Sequence, residues 1–213
     1  MTEPDAQPAH QASLQFERLA FFSDAVFAIA ITLLVLDLRL PTAVRGPIDL
    51  SIIGPKLFGF ALSFAVIGVY WMHHHALFGT IRREDPPLVV TNLAYLASIV
   101  FLPFPTSVIA EYPATTGSVV FYALSVAAVG LMAALLSWVA RRPHLRLPEE
   151  TGVGTARFVI NSLPTPVIFL ISAGVAMVRP RLAMELWWLI GPTVWLVRRL
   201  SRRFGDPKAG GGS

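Results

Sequence analysis

The chain has 213 residues, 54% of them hydrophobic and only 14% charged, with a formal net charge of +4 and no cysteine. A soluble surface needs far more charge than this, and the missing thiols exclude disulfides, thiolate metal sites and cysteine nucleophiles. The basic residues fall between apolar runs rather than on one face, which argues for membrane topology and against a nucleic-acid partner.

Residues 1–17 are polar, contain Pro4 and Pro8, and lack the positive n-region of a cleavable signal. They are expected to form a mobile cytoplasmic tail. Six apolar runs follow, at 18–38, 54–78, 87–110, 117–140, 156–178 and 182–200. A spanning helix needs about 20 mostly apolar residues, so each run is predicted to cross the bilayer. The fold class is all-α: a multi-pass membrane protein with one domain at 18–200 and a basic tail at 201–213 that ends in a Gly-Gly-Gly-Ser linker.

Breaks between the runs have their own chemistry. Pro41, Gly46 and Pro47 follow the first, and the charged turn Arg82-Arg83-Glu84-Asp85-Pro86 follows the second. Glu111-Tyr112-Pro113 and Gly117 separate the third from the fourth, residues 141–155 form the longest link, and Arg179-Pro180-Arg181 the shortest. Pro103, Pro105, Pro164, Pro166 and Pro192 lie inside runs. Each removes an amide donor, leaving either a packed kink or a carbonyl free to coordinate. Twelve lysines and arginines fall on one side of this topology and five on the other. The cell membrane is the predicted location, with both termini cytoplasmic. Trp138, Trp187, Trp188 and Tyr112 lie near predicted helix ends, where an interfacial belt would place them.

The first run carries Arg18, Ser23 and Asp24 in its opening turns. An ionisable residue inside a membrane segment points to function. Topology puts His73, His74 and His75 at the end of the second helix, Asn92 near the start of the third and Asn161 near the start of the fifth. All these groups are expected in one cytoplasmic-side polar layer, because polar groups in lipid must satisfy one another. Arg18 and Asp24 point about 120° apart on a helix, so each is expected to find partners on other helices. Asp24 reads either as a carboxylate favoured by the helix start or as a proton-relay acid. The three consecutive histidines fan over about 200°, whereas a helical metal pair wants i, i+4 spacing. One of them is expected to bond into the layer. Farther along, Ile29, Thr32 and Leu36 share a face that serves helix packing, lipid contact or a pore.

Arg18-x-x-x-Phe22-Ser23-Asp24 followed by Ala28-Ile29-Ala30-Ile31-Thr32-Leu33-Leu34 resembles the RxxxFSD signature of the lysosomal and endosomal potassium channel family and its bacterial homologues. Trp71-x-x-His74-His75-x-x-Phe78, Asn92-Leu93 and Phe101-Leu102-Pro103-Phe104-Pro105 extend the match over about the first half of the chain. The resemblance implies a six-helix unit that assembles as a homotetramer, because the signature occurs once, with four first helices around a central pore. It implies a constriction of Ile29, Thr32 and Leu36, flanked by Leu33 and Asp37. A structural polar network of Arg18, Phe22, Ser23, Asp24, His74, His75 and Asn92 would stabilise the inner half.

No TVGYG-like filter occurs, so the expected mechanism is an apolar constriction that gates by dewetting. The expected partners are potassium ions, in transit rather than tightly bound, the lipid bilayer and further copies of the chain. No cofactor, nucleic acid or enzymatic activity is expected. The alternative is a proton-coupled secondary transporter using Asp24 and a histidine, although no internal inverted repeat accompanies it.

Overall fold

The computed structural model describes residues 6–38, 50–146, 159, 161–193, 195–196 and 199. Among the described residues, four helical stretches are long and apolar enough to cross a membrane: Ser13–Leu36, Ile53–Phe78, Pro86–Glu111 and Thr116–Val139. They are formed by α1 (Ala6–Leu33) with a 3-10 turn at Leu34–Asp37, α2 (Leu50–Phe78), α3 (Pro86–Phe101) with α4 (Pro103–Glu111), and α5 (Thr116–Val139). A shorter apolar helix, α6, covers Pro164–Ala176, and α7 (Pro180–Glu185) leads into a 3-10 turn at Leu186–Leu189. The link at 39–49 with Arg39, most of the 141–155 link and the basic tail at 201–213 lie outside the described residues.

Two expectations need correction, the mobile tail at 1–17 and the interfacial place of Trp187. Helix α1 begins at Ala6 rather than at residue 18, so residues 6–17 are helix and not a mobile tail. No glycine or proline interrupts 9–33, and Phe16 stacks on Phe78 of α2 with ring centroids 5.5 Å apart. The third expected span is one stretch with a packed break at its first proline. Pro103 has no amide to extend the ladder, Leu102 closes α3 with a tighter bond to Ile99 O, and α4 starts anew. Pro164 opens α6 directly after helical residues 159, 161 and 162, and Leu163 between them keeps right-handed helical geometry, so the proline marks a break inside the fifth expected run, as a packed kink would. Trp187 is no belt residue: it is buried, and its indole N–H donates to Ser172 Oγ at 2.8 Å.

Helix α5 is the most buried of the four long spans and α1 the least, which places α5 centrally and α1 at the edge. Tyr122 meets Phe169 and Gly130 meets Pro166, so α5 and α6 run antiparallel. Lipid offers no hydrophobic drive between helices, so close packing and polar contacts must hold them. Gly59 and Ser63 of α2 face Ala110 and Thr106 of α4, small residues four apart on both sides. Their hydroxyls form one directed chain. Tyr122 O–H donates to Ser63 at 3.0 Å, Ser63 to Thr106 at 2.7 Å, and Thr106 to the Leu102 carbonyl at 2.7 Å. This direction satisfies every member. At Gly130 a Cβ would lie 2.6 Å from Pro166 Cδ and 2.7 Å from Tyr70 Oη, and a proline ring cannot swing aside.

The charged turn between α2 and α3 is built on Asp85. Its carboxylate caps α3 by accepting the Leu88 amide at 2.8 Å, and it takes Arg142 Nη1 at 2.8 Å and His144 Nε2 at 3.1 Å. Burial raises the Asp85 pKa, but the Leu88 amide and then Arg142 and His144 outweigh it and hold the carboxyl below its ordinary 3.8. A depressed folded-state pKa stabilises the fold above the ordinary value, and that stability is lost as pH falls below it.

Two consequences are measurable by thermal melting in detergent. Gly130→Ala should destabilise by about 1–3 kcal/mol through overpacking. Asp85→Ala should cost about 1–2 kcal/mol at neutral pH, and the gap from the parent protein should narrow below about pH 4.

Candidate functional site

The polar layer forms where α1, α2 and α3 meet. Helices α1 and α3 run parallel and α2 against them, which brings Ser23, His74 and Asn92 to one depth. All three side chains are buried. Ser23 Oγ–H donates to the Leu19 carbonyl at 2.8 Å, so its oxygen is left to accept from Asn92 Nδ2–H at 2.9 Å. Asn92 therefore turns Oδ1 toward His74 Nε2 at 2.9 Å, and that nitrogen carries the proton. The result is a directed relay, His74 to Asn92 to Ser23 to Leu19, with every polar atom named in it paired. Around it Phe78 stacks on the His74 ring at 3.9 Å, Tyr95 lies parallel at 5.8 Å, and Phe27 is tilted at 5.5 Å.

The neighbouring histidines go elsewhere. His73 Nε2 lies 3.0 Å from Ser137 Oγ of α5, whose own proton is given to the Ala133 carbonyl, and His75 is exposed and stacks on Trp71 at 5.4 Å. Three consecutive imidazoles thus address three different neighbours, as their fan around α2 requires. Asp24 accepts the Trp71 indole N–H at 2.9 Å on the protein surface, with no imidazole bonded to it among the described residues. Arg18 is exposed and makes no hydrogen bond or ion pair among the described residues. The single chain therefore places Ser23, His74 and Asn92 together, and leaves Arg18, Phe22 and His75 outside the relay.

Helix α1 has two contrasting faces. Ser23, Phe27, Ala30 and Leu34 are 0–1% exposed against α2 and α3, whereas Phe22, Ile29, Leu33 and Leu36 are 50%, 56%, 37% and 53% exposed. At about 100° per residue, Arg18 shares the outward face with Ile29 and Leu36. Thr32 is on this face too, and its hydroxyl proton is committed to the Ile29 carbonyl at 2.8 Å. What Thr32 presents outward is an oxygen acceptor. Beyond Leu33 the chain tightens into the 3-10 turn, which advances each residue by roughly 20° more than an α-helix would. Leu36 stays on the outward face. Asp37 closes that turn, and its side chain lies outside the described residues.

Two parts of the site were not anticipated from the sequence: the Phe27–Tyr95–Phe78 cage and the Ser137 partner of His73. The cage did leave a signal. Phe27 lies four residues after Ser23 and Tyr95 three after Asn92, so each follows its polar neighbour on one helix face. Ser137, inside an apolar run, left none.

The sequence profile described as "Endosomal/lysosomal potassium channel TMEM175" matches residues 18–103, the stretch that holds the relay and the outward stripe. A potassium channel of Streptomyces collinus is 36% identical over 163 residues, covering 70% of this chain and 79% of that one. A potassium channel of Chamaesiphon minutus is 41% identical over 100 residues, covering 45% of this chain and 49% of that protein's length. Among solved structures, that of a lysosomal potassium-selective channel TMEM175 homolog from Chamaesiphon minutus matches with a TM-score of 0.70 at 26% identity. It covers 85% of this chain and 97% of that one.

The buried relay and the surface bond should respond differently to mutation. Asn92→Ala orphans His74 Nε2–H and should lower stability by about 1–3 kcal/mol. Trp71→Phe gives up only an exposed bond and should cost about 0.5 kcal/mol. Melting temperatures in detergent compare the two directly, and equal losses would deny the relay its structural weight.

Proposed function

Because the chain belongs to the endosomal/lysosomal potassium channel TMEM175 family, we propose that it is a potassium-permeable cation channel of the cell membrane. Four copies, each contributing six membrane helices, surround a central pore lined by α1. Both termini face the cytoplasm, on the side richer in lysine and arginine. The conducting step is passive. Ile29 and Leu36 narrow the path as apolar rings, flanked by Leu33 and Asp37, and a hydrated cation crosses when the constriction wets. Thr32 supplies oxygen acceptors between those rings. Ser23, His74 and Asn92 hold the opposite face of α1, so the wall keeps its register while the outward side chains meet the ion.

The observation that carries this reading is the division of α1 into a buried, hydrogen-bonded face and an exposed apolar face that includes a lone hydroxyl oxygen. A bilayer tolerates such an apolar face against lipid as well, so the ion path is tested by function. The proton-coupled carrier has less behind it, because Asp24 accepts an indole N–H and His74 gives its Nε2 proton to Asn92.

Purified protein in liposomes should collapse a potassium gradient without added energy. Ile29→Asn and Leu36→Asn should each change the conductance or the potassium-to-sodium reversal potential, and Thr32→Val should lower the preference for potassium. If both asparagine variants conduct as the parent does, α1 does not line the pore. Saturable transport coupled to pH and uncoupled by Asp24→Asn would instead establish the carrier.

A further inference from the structure

A second polar assembly sits at the end of the bundle where α2 and α5 finish and α3 begins. Two segments far apart in sequence are joined there. The Arg82 amide donates to the Leu145 carbonyl at 2.8 Å, and Ile81 and Arg146 form an isolated antiparallel bridge. Asp85 clasps Arg142 at 2.8 Å and His144 at 3.1 Å, and buried Arg146 donates Nε–H to the Ala140 carbonyl at 2.7 Å. Among the described residues the joint gathers five arginines, Arg82, Arg83, Arg141, Arg142 and Arg146, around two carboxylates, Glu84 and Asp85. Asp85 is already committed to its cap and two partners. Arg82, Arg83 and Arg141 are exposed, and their guanidinium groups make no ion pair or hydrogen bond among the described residues.

Position decides what anion this rim meets. Phe78, Pro86 and Val139 end or begin membrane-capable helices, so the rim lies at the level of lipid headgroups. Trp138 is 59% exposed just before Arg141, with an amphipathic ring suited to that level. An arginine fork matches a phosphate with two parallel hydrogen bonds. We infer that the rim of Arg82, Arg83 and Arg141, with Trp138 beside it, is a binding surface for the phosphate of an anionic phospholipid, whose acyl chain runs down past the indole. The inference rests on membrane insertion and is independent of which ion the protein conducts.

The full-length protein should retain phosphatidylglycerol in preference to phosphatidylcholine, read as bound lipid by native mass spectrometry. Arg82→Gln/Arg83→Gln/Arg141→Gln should weaken phosphatidylglycerol retention by at least about tenfold, since each arginine near an anionic surface contributes on the order of fivefold. Arg179→Gln/Arg181→Gln provides the control. These two exposed arginines lie at the opposite end of α6, away from the joined turns, and their loss should weaken retention clearly less than loss of the three rim arginines does. Equal losses in the two variants, or equal retention of the two lipids by the parent protein, would overturn the inference. Displacement of the lipid by millimolar inorganic phosphate would assign the rim to free phosphate instead and overturn the lipid reading. Should the triple variant fail to fold, Trp138→Ala and the single Arg83→Gln carry the same comparison, each expected to weaken retention severalfold.

Discussion

Inside a bilayer no water is available to satisfy a stranded donor, and this constraint organises the protein. Its buried hydroxyl, amide and imidazole groups are joined into directed chains that end on backbone carbonyls. His74, Asn92 and Ser23 end on Leu19; Tyr122, Ser63 and Thr106 end on Leu102; Trp187 and Ser172 end on Ala183. Each chain ties different helices together, and each ends where a helix carbonyl has capacity to spare. Since apolar surface alone gives helices little reason to associate in lipid, these chains specify which helix stands beside which.

The first helix profits most from that arrangement. It is the least buried long span, so lateral packing alone would hold it poorly. The relay anchors it at Ser23, and Phe27, Ala30 and Leu34 continue the buried face toward the other end. With one side secured, the other is free to present apolar side chains and the Thr32 oxygen. The buried and the exposed side chains are thereby assigned to different faces of one helix. The surface bond from Trp71 to Asp24 adds a second attachment at the same level, outside the aromatic cage.

The ends of the bundle follow different rules because water reaches them. At one end Lys56 and Glu111 are 3.8 Å apart, with Glu111 largely exposed, a pairing that contributes little. At the other, Asp85 combines a helix cap with two cationic partners and joins two turns that the sequence separates by more than fifty residues. That joint fixes the depth at which α3 starts, and Asn92 stands two turns farther in.

Much of this was legible beforehand, for reasons of composition. Apolar runs of spanning length announce membrane helices, and a helix rising 1.5 Å per residue converts sequence distance into depth. Depth alone was enough to place Ser23, His74 and Asn92 in one layer. The signature beginning at Arg18 also pointed to the family and to the face carrying Ile29, Thr32 and Leu36. Depth says nothing about direction around an axis between helices. Only the tertiary structure decided that His74 rather than His73 or His75 enters the relay, that Arg18 stays outside it, and that Arg82, Arg83 and Arg141 share a rim. It also decided that α1 extends back to Ala6 and that the third span breaks at Leu102. The sequence determines how far along the membrane normal a residue lies, because the backbone rise is constant. Which neighbour it meets depends on the packing angles of helices distant in the chain, and no local pattern encodes those.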